Sequence, residues 1–188
     1  MKHIMLDLET MGNDHNAAVV AIGACEFDPH GDGISDGEPP LAQFYMRVSL
    51  ESAMQAGMTI SASTILWWMQ QSDAARKETF EGKVESLEYA INQFAGYVQE
   101  VSRHQSREVA VWGNGATFDN VIIRSAFTAV GITPPWSFRN DKCYRTIKNL
   151  IPADKLPPWE RTGTAHNALS DAITQALYLQ KCYKVLGL

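Results

Sequence analysis

The chain has 188 residues, 45% of them hydrophobic and 20% charged, a composition that excludes a disordered or fibrous protein and is long enough to bury a sizeable core. Its formal net charge of −5 excludes a protein that coats nucleic acid through bulk positive charge, and leaves room for an enzyme that meets it through one local patch. Cys25, Cys143 and Cys182 have no CxxC spacing, and an odd count suits a reducing compartment better than a disulfide framework.

In chain order, residues 2–8 read as a buried strand and 17–27 as a second, joined by the polar loop MGNDHN. Residues 28–41, rich in Pro, Gly and Asp, form a loop, and an extended segment resumes at 42–49. Two strand-loop-strand connections in succession imply antiparallel pairing. The chain then turns helical, with apolar spacing of three and four over 62–71, 83–102, 117–130 and 166–185. A short strand at 108–112 separates two of these helices, and another is expected near 137–143. This order predicts an α/β fold with a mixed sheet flanked by helices, in a single domain over residues 1–188. Asp7 interrupts the N-terminal MKHIMLDLET too early for a signal peptide, and no uncharged run approaches the ~20 apolar residues that span a bilayer. A cytoplasmic chain without membrane partners is therefore expected.

Acidic residues stand at the ends of these elements. In IMLDLET, Asp7 and Glu9 are two apart, so on a strand they share a face, while Ile4, Leu6 and Leu8 point to the other. Taken alone, the pair is also what a strand ending in solvent shows. Asp119, in WGNGATFDNVIIRSAF, falls in the first turn of a helix whose face is expected to carry Phe118, Val121, Ile122 and Ser125. The helix dipole favours an acid there in any case. The GNG of this stretch is not a phosphate-cradling loop, because Phe118 fills the last glycine position of G-x-G-x-x-G. The last helix is expected to bury Leu169, Ile173, Ala176 and Leu177, with Asp171 on the side of Ala168 and Tyr178. His166 precedes Asp171 by five residues, which on one helix is ~140° of rotation, so the two can act together only if His166 lies at or before the first turn. Each acid has an ordinary explanation singly. Asp7, Glu9, Asp119 and Asp171 brought together are intolerable without cations, and hard oxygen ligands favour Mg²⁺ or Mn²⁺.

Three motifs in order carry a resemblance. DLET resembles the D-x-E motif of the DnaQ-like, DEDD-type 3′→5′ exonuclease superfamily, NGATFD its second motif, and HNALSD the H-x-A-x-x-D of its His-containing branch. The small size and the TILWWMQQ segment are similar to the compact exonuclease VIII-like and mycobacterial-type exoribonuclease relatives. The resemblance implies an RNase H-like fold with an antiparallel second strand and two Mg²⁺ or Mn²⁺ ions. Asp7, Glu9 and Asp171 would hold the catalytic ion, Asp7 would bridge to the second, and Asp119 would act partly through water. It makes His166 the general base, a task that suits an imidazole, whose ordinary titration lies near ~6.5. It implies hydrolysis from the 3′ end of single-stranded DNA or RNA to nucleoside 5′-monophosphates. The contrasting readings are a phosphodiesterase acting on short oligonucleotides and a non-catalytic nucleic-acid-binding module of the same fold.

The resemblance also implies substrate contacts at Thr10, Met11 and Gly12, where backbone and an apolar side chain meet the terminal base and sugar, and at Asn114 and Phe118. Between Arg139 and Arg161 six basic residues face three acidic ones, so Arg145 and Lys148 are candidates to hold phosphates of the incoming strand, with a solvated helix face as the alternative. Trp67 and Trp68, ~100° apart on a helix, allow one ring into the core. The other would pack a homodimer interface or stack on a base, unless both are buried locally.

Overall fold

The computed structural model describes residues 1–34, 42–103 and 108–188, without the side chain of Arg103. Part of the loop expected over 28–41 lies outside the described residues. Among the described residues five strands form one sheet in the order β3-β2-β1-β4-β5. They are β1 (Lys2–Thr10), β2 (Val19–Phe27), β3 (Gln43–Arg47), β4 (Val109–Gly113) and β5 (Asp141–Cys143). The pairings β1/β2 and β2/β3 are antiparallel, whereas β4 runs parallel to both β1 and β5. The antiparallel half consists of the strands joined by loops, and the parallel half of those reached through helical crossovers.

The expected helices are present as α2 (Ala62–Met69), α4 (Leu87–Arg103), α5 (Asp119–Ala129) and α7 (Ala168–Leu186). Three more were not foreseen, α1 (Leu50–Gln55) and α6 (Tyr144–Asn149), which hold too few repeats, and α3 (Asp73–Phe80), which is largely polar. Two of these carry a legible start signal. Ser49 Oγ accepts from Ser52 N (3.3 Å) and Ser72 Oγ from Ala75 N (3.2 Å), as N-cap serines do. No helix of the described residues is long and apolar enough to cross a membrane.

Strand periodicity divides the interior into two layers. Ile4, Leu6 and Leu8 of β1 pack under α4 and α5 with Ile91, Phe94, Ile123 and Phe127. Met5 packs on the opposite face with Trp112, Tyr144, Ala172, Ala176 and Leu179. Asp7 and Glu9 continue the parity of Met5, so the face that receives α7 is also the face that carries the acids.

Two helix faces differ from the sequence reading. In α5 the buried set is Asp119, Asn120, Ile122, Ile123, Ala126 and Phe127, and Val121 is exposed. Asn120 donates to Val111 O (2.9 Å) and so rotates the start of the helix onto β4. In α7 the fully buried positions include Ala168, Ala172, Ala176 and Leu179, while Leu169, Ile173 and Leu177 are only half-buried. The cause is close approach. Gly23 of β2 lies directly beside Asp7 in the ladder, and a Cβ on it would stand 2.1 Å from the backbone carbon of Ala168. A stripe of alanines brings the helix axis that near to the sheet, which larger side chains would prevent.

Gly23→Ala therefore puts a methyl group into main chain that cannot swing aside. It is expected to cost at least about 3 kcal/mol, the upper end of ordinary overpacking. Urea unfolding followed by circular dichroism measures the change, and a wild-type midpoint would contradict this packing.

Candidate active site

The end of β1, the start of α5 and the start of α7 meet at the C-terminal end of the central strand. Asp7 and Glu9 reach it by strand parity, and the ladder with β2 shifts register between Glu9 and Thr10. Such an irregularity ends pairing and re-aims side chains. Asp7 Oδ1 accepts from Gln175 Nε2 (2.7 Å). Gln175 was not foreseen as a site residue, although it lies one turn beyond Asp171 and so shares its face of α7. Asp119 is 2% exposed, and its Oδ2 accepts from Gly115 N (3.3 Å).

His166 lies outside α7, two residues before its first residue, Ala168. It is the one non-glycine at positive φ (61°) among the described residues, a conformation that costs about 1 kcal/mol or more and clusters at functional sites. Its backbone is held on both sides. His166 N donates to Asp171 Oδ2 (3.0 Å), and Thr79 Oγ1 donates to His166 O (2.9 Å). Asn167 Oδ1 caps the helix by accepting from Ser170 N (2.8 Å). The ~140° offset between His166 and Asp171 is thus absorbed in a left-handed residue ahead of the N-cap. One ligand-type atom from each of Glu9, His166 and Asp171 lies within 4.8 Å of the other two. Trp67 and Trp68 stand edge-on to the imidazole, with ring centroids at 5.0 and 5.9 Å. The backbone of His166 is thus anchored and its ring is packed.

Confinement and mutual repulsion set the electrostatics. Burial first, and then the charges of Asp119, Glu9 and Asp171, push Asp7 well above the carboxylate range, against the Gln175 amide. Burial, with Asp171 and Asp119, raises Glu9 to about 8, opposed by Arg161. Burial raises Asp119 to about 6, although backbone hydrogen bonds such as that from Gly115 favour its charged form. Groups that resist ionisation alone will ionise beside a cation. Glu9 and Asp171, backed by Asp7 and Asp119, form an oxygen donor set that fits Mg²⁺ or Mn²⁺, with the His166 imidazole beside it.

These residues open into a cleft of about 560 Å³. Thr10, Asn114 and Phe118 line it, as do Asn13, Trp67, Trp159 and Arg161. The other expected contacts stand elsewhere. Met11 is 8% exposed and belongs to the core, and its backbone is engaged by Ala18 O (2.8 Å) and Ser61 N (2.8 Å). Gly12 lies against Ala17. Arg145 is exposed beside Gly115. Lys148 Nζ lies over the rings of Trp159 and Tyr178 at 5.7 and 5.8 Å, a cation–π contact that occupies its charge. Arg124 grips Asp141 with two hydrogen bonds, of 2.8 and 2.9 Å. The tryptophan pair divides: Trp68 is 3% exposed and donates to Thr10 O (3.0 Å), whereas Trp67 is 41% exposed at the cleft wall.

Residues 2–183 match the Rv2179c-like domain, described as a 3′-5′ exoribonuclease domain. The chain belongs to this family. An exodeoxyribonuclease of Enterobacteria phage T4 is 32% identical over 78 residues, which are 41% of this chain and 34% of the phage protein. The matched stretch thus spans about a third of that relative's length. The nuclease domain of 3′hExo, a DEDDh family member whose structure was solved bound to rAMP, superposes with a TM-score of 0.60. The match covers 97% of this chain and 92% of that one at 10% identity. The fold is therefore RNase H-like, as the resemblance implied.

The raised Glu9 carboxyl has a consequence for stability. Because the folded chain binds this proton more tightly than the unfolded one, the stability it contributes is fully present below pH 4.5 and is lost as pH rises through about 8. Without cations, Tm is expected to fall across that window. Mn²⁺ at ~100 times its dissociation constant should raise Tm by about 5–10 °C, with a larger gain at the alkaline end. Differential scanning fluorimetry checks both trends, and Glu9→Gln should remove part of the slope, the raised Asp7 and Asp119 carboxyls contributing the rest.

Proposed function

We propose that this protein is a divalent-cation-dependent 3′→5′ exonuclease that removes nucleoside 5′-monophosphates one at a time from single-stranded ends. RNA is the favoured substrate on the family's description. The observation that carries the reading is the convergence of Glu9, His166 and Asp171 at the cleft, with Asp7 and Asp119 confined beside them. A protein that only bound a polyanion would gain nothing from four carboxylates facing it.

Asp7, Glu9, Asp119 and Asp171 would hold two cations. Bound there, the cations supply the positive charge that activates water and stabilises the attacking and leaving oxygens of phosphoryl transfer. His166 takes the proton of the attacking water on an imidazole nitrogen. The water oxygen bonds to phosphorus as the bond from phosphorus to the 3′-oxygen of the preceding nucleotide breaks. Gln175 orients Asp7, and the backbone N–H of Gly115 orients Asp119. Trp67 and Trp159 offer exposed ring faces along the cleft, surfaces on which unpaired bases stack. The whole chain acts as one catalytic domain.

Matched RNA and DNA oligonucleotides, labelled at either end and incubated with Mn²⁺ or with EDTA, test the reading. The expected outcome is a cation-dependent ladder from the 3′ end, faster on RNA, with Asp119→Asn slower by at least ~100-fold, about 2.7 kcal/mol of barrier. Asp119→Asn activity equal to wild type would sink the reading. Thr79→Val keeps its shape but deprives His166 O of its donor. It is expected to cost about 1 kcal/mol of stability and to lower kcat more than it alters KM, as steady-state kinetics would show.

A further inference from the structure

The acids of the cleft are not alone. Arg161, on the loop between α6 and α7, forms an ion pair with Asp171 Oδ1. The other oxygen, Oδ2, accepts from His166 N (3.0 Å). One oxygen of this carboxylate is thus held by a fixed backbone donor, and the other by a long side chain that is 38% exposed. A cation bound through Asp171 and the guanidinium would be like charges within a few ångströms of each other, so they repel and compete for the same carboxylate. The backbone donor cannot leave without undoing the start of α7. The guanidinium can.

The loop is built so that the side chain moves and the backbone stays. Tyr178 Oη donates to Pro157 O (2.8 Å), and Thr162 N donates to Thr174 Oγ1 (3.0 Å). Glu160 pairs with Lys181 of α7. Gly163 turns the chain at φ +69°, so tightly that a Cβ would meet Ser170 Oγ at 2.4 Å. The Cα of Arg161 is therefore tethered beside the cleft, and a guanidinium released from Asp171 remains within it, near Trp159.

We propose that Arg161 is a built-in counter-ion of the carboxylate cluster, displaced from Asp171 by an incoming divalent cation and then free to hold a phosphate of the substrate strand. The first half concerns cation binding alone, and the second rests on the exonuclease reading. Arg161 on this account weakens cation binding in the free protein and strengthens nucleic-acid binding in the loaded one. A guanidinium suits both partners, since its planar fork matches carboxylate and phosphate alike.

Isothermal titration of Mn²⁺ into wild type, Arg161→Gln and Arg161→Lys, without nucleic acid, tests the first half. Arg161→Gln is expected to bind Mn²⁺ about 5- to 10-fold more tightly, the scale of one partly exposed ion pair, and Arg161→Lys to stay near wild type. Unchanged or weaker binding by Arg161→Gln overturns the counter-ion role. Fluorescence anisotropy with a phosphorothioate-ended oligonucleotide tests the second half. Arg161→Gln should bind it about 5-fold more weakly with Mn²⁺ present, and like wild type in EDTA. A loss equal in both conditions, or none in either, overturns the hand-over to phosphate. A wild-type protein that binds Mn²⁺ but degrades no oligonucleotide would defeat the exonuclease reading and leave the Mn²⁺ comparison decisive for Arg161.

Discussion

Repulsion among acids at the end of β1 is the constraint on which the rest of the structure turns. Asp7, Glu9, Asp119 and Asp171 converge where water is scarce; burial drives Asp7, Glu9 and Asp119 above the ordinary carboxylate range, and the neighbouring acids push Asp7 and Glu9 further. Such a cluster persists only because the surrounding fold is stable without its help. Two packed layers on opposite faces of the sheet provide that stability. The acids are then eased by neutral or cationic donors: the Gln175 amide, the Gly115 N–H, the His166 N–H and the Arg161 guanidinium. Each of these donors can coexist with a cation except Arg161.

Close packing between α7 and β2 decides how near the acids come. Asp7 and Gly23 are partners in the ladder, and Gly23 has no side chain to keep Ala168 away. The first turn of α7 therefore sits on the sheet beside Asp7, and Asp171 and Gln175 follow on the same helix. His166 is pinned by the carboxylate of the helix it introduces and by Thr79 from α3. Its left-handed backbone aims the ring at Glu9, and the tryptophans of α2 close on it from the side. Fixing the imidazole before substrate arrives would spare the proposed reaction that ordering step.

The order of strands and helices along the chain and the acids at element ends were legible because each rests on a local period of two or of three to four, or on a motif of fixed spacing. Among the short helices α2 was legible through its apolar ILWWM run, whereas α1 and α6 hold too few repeats and α3, DAARKETF, too few apolar residues. Helix faces were misjudged where size and polarity pointed one way and close approach another. Leu169, Ile173 and Leu177 look like the core of α7, yet Ala168, Ala172 and Ala176 are buried, because the sheet accepts a helix there only at alanine distance. Met11 looked like a residue of the cleft and is one of the core, and Lys148 lies against the rings of Trp159 and Tyr178.

By itself the sequence determined which residues could carry chemistry: a D-x-E on a strand, an acid opening one helix, and a histidine five positions before an acid opening another. Residue type and spacing suffice for that, because parity on a strand and rotation on a helix are local properties. Only the tertiary structure decided what each of them touches. Gln175 reaching Asp7 across 168 residues of chain, the turn that brings His166 to Asp171, and the choice of Asp171 as the partner of Arg161 all depend on where β1 and α7 come to rest against each other. That distance is set by packing between segments remote in sequence, and no local pattern encodes it.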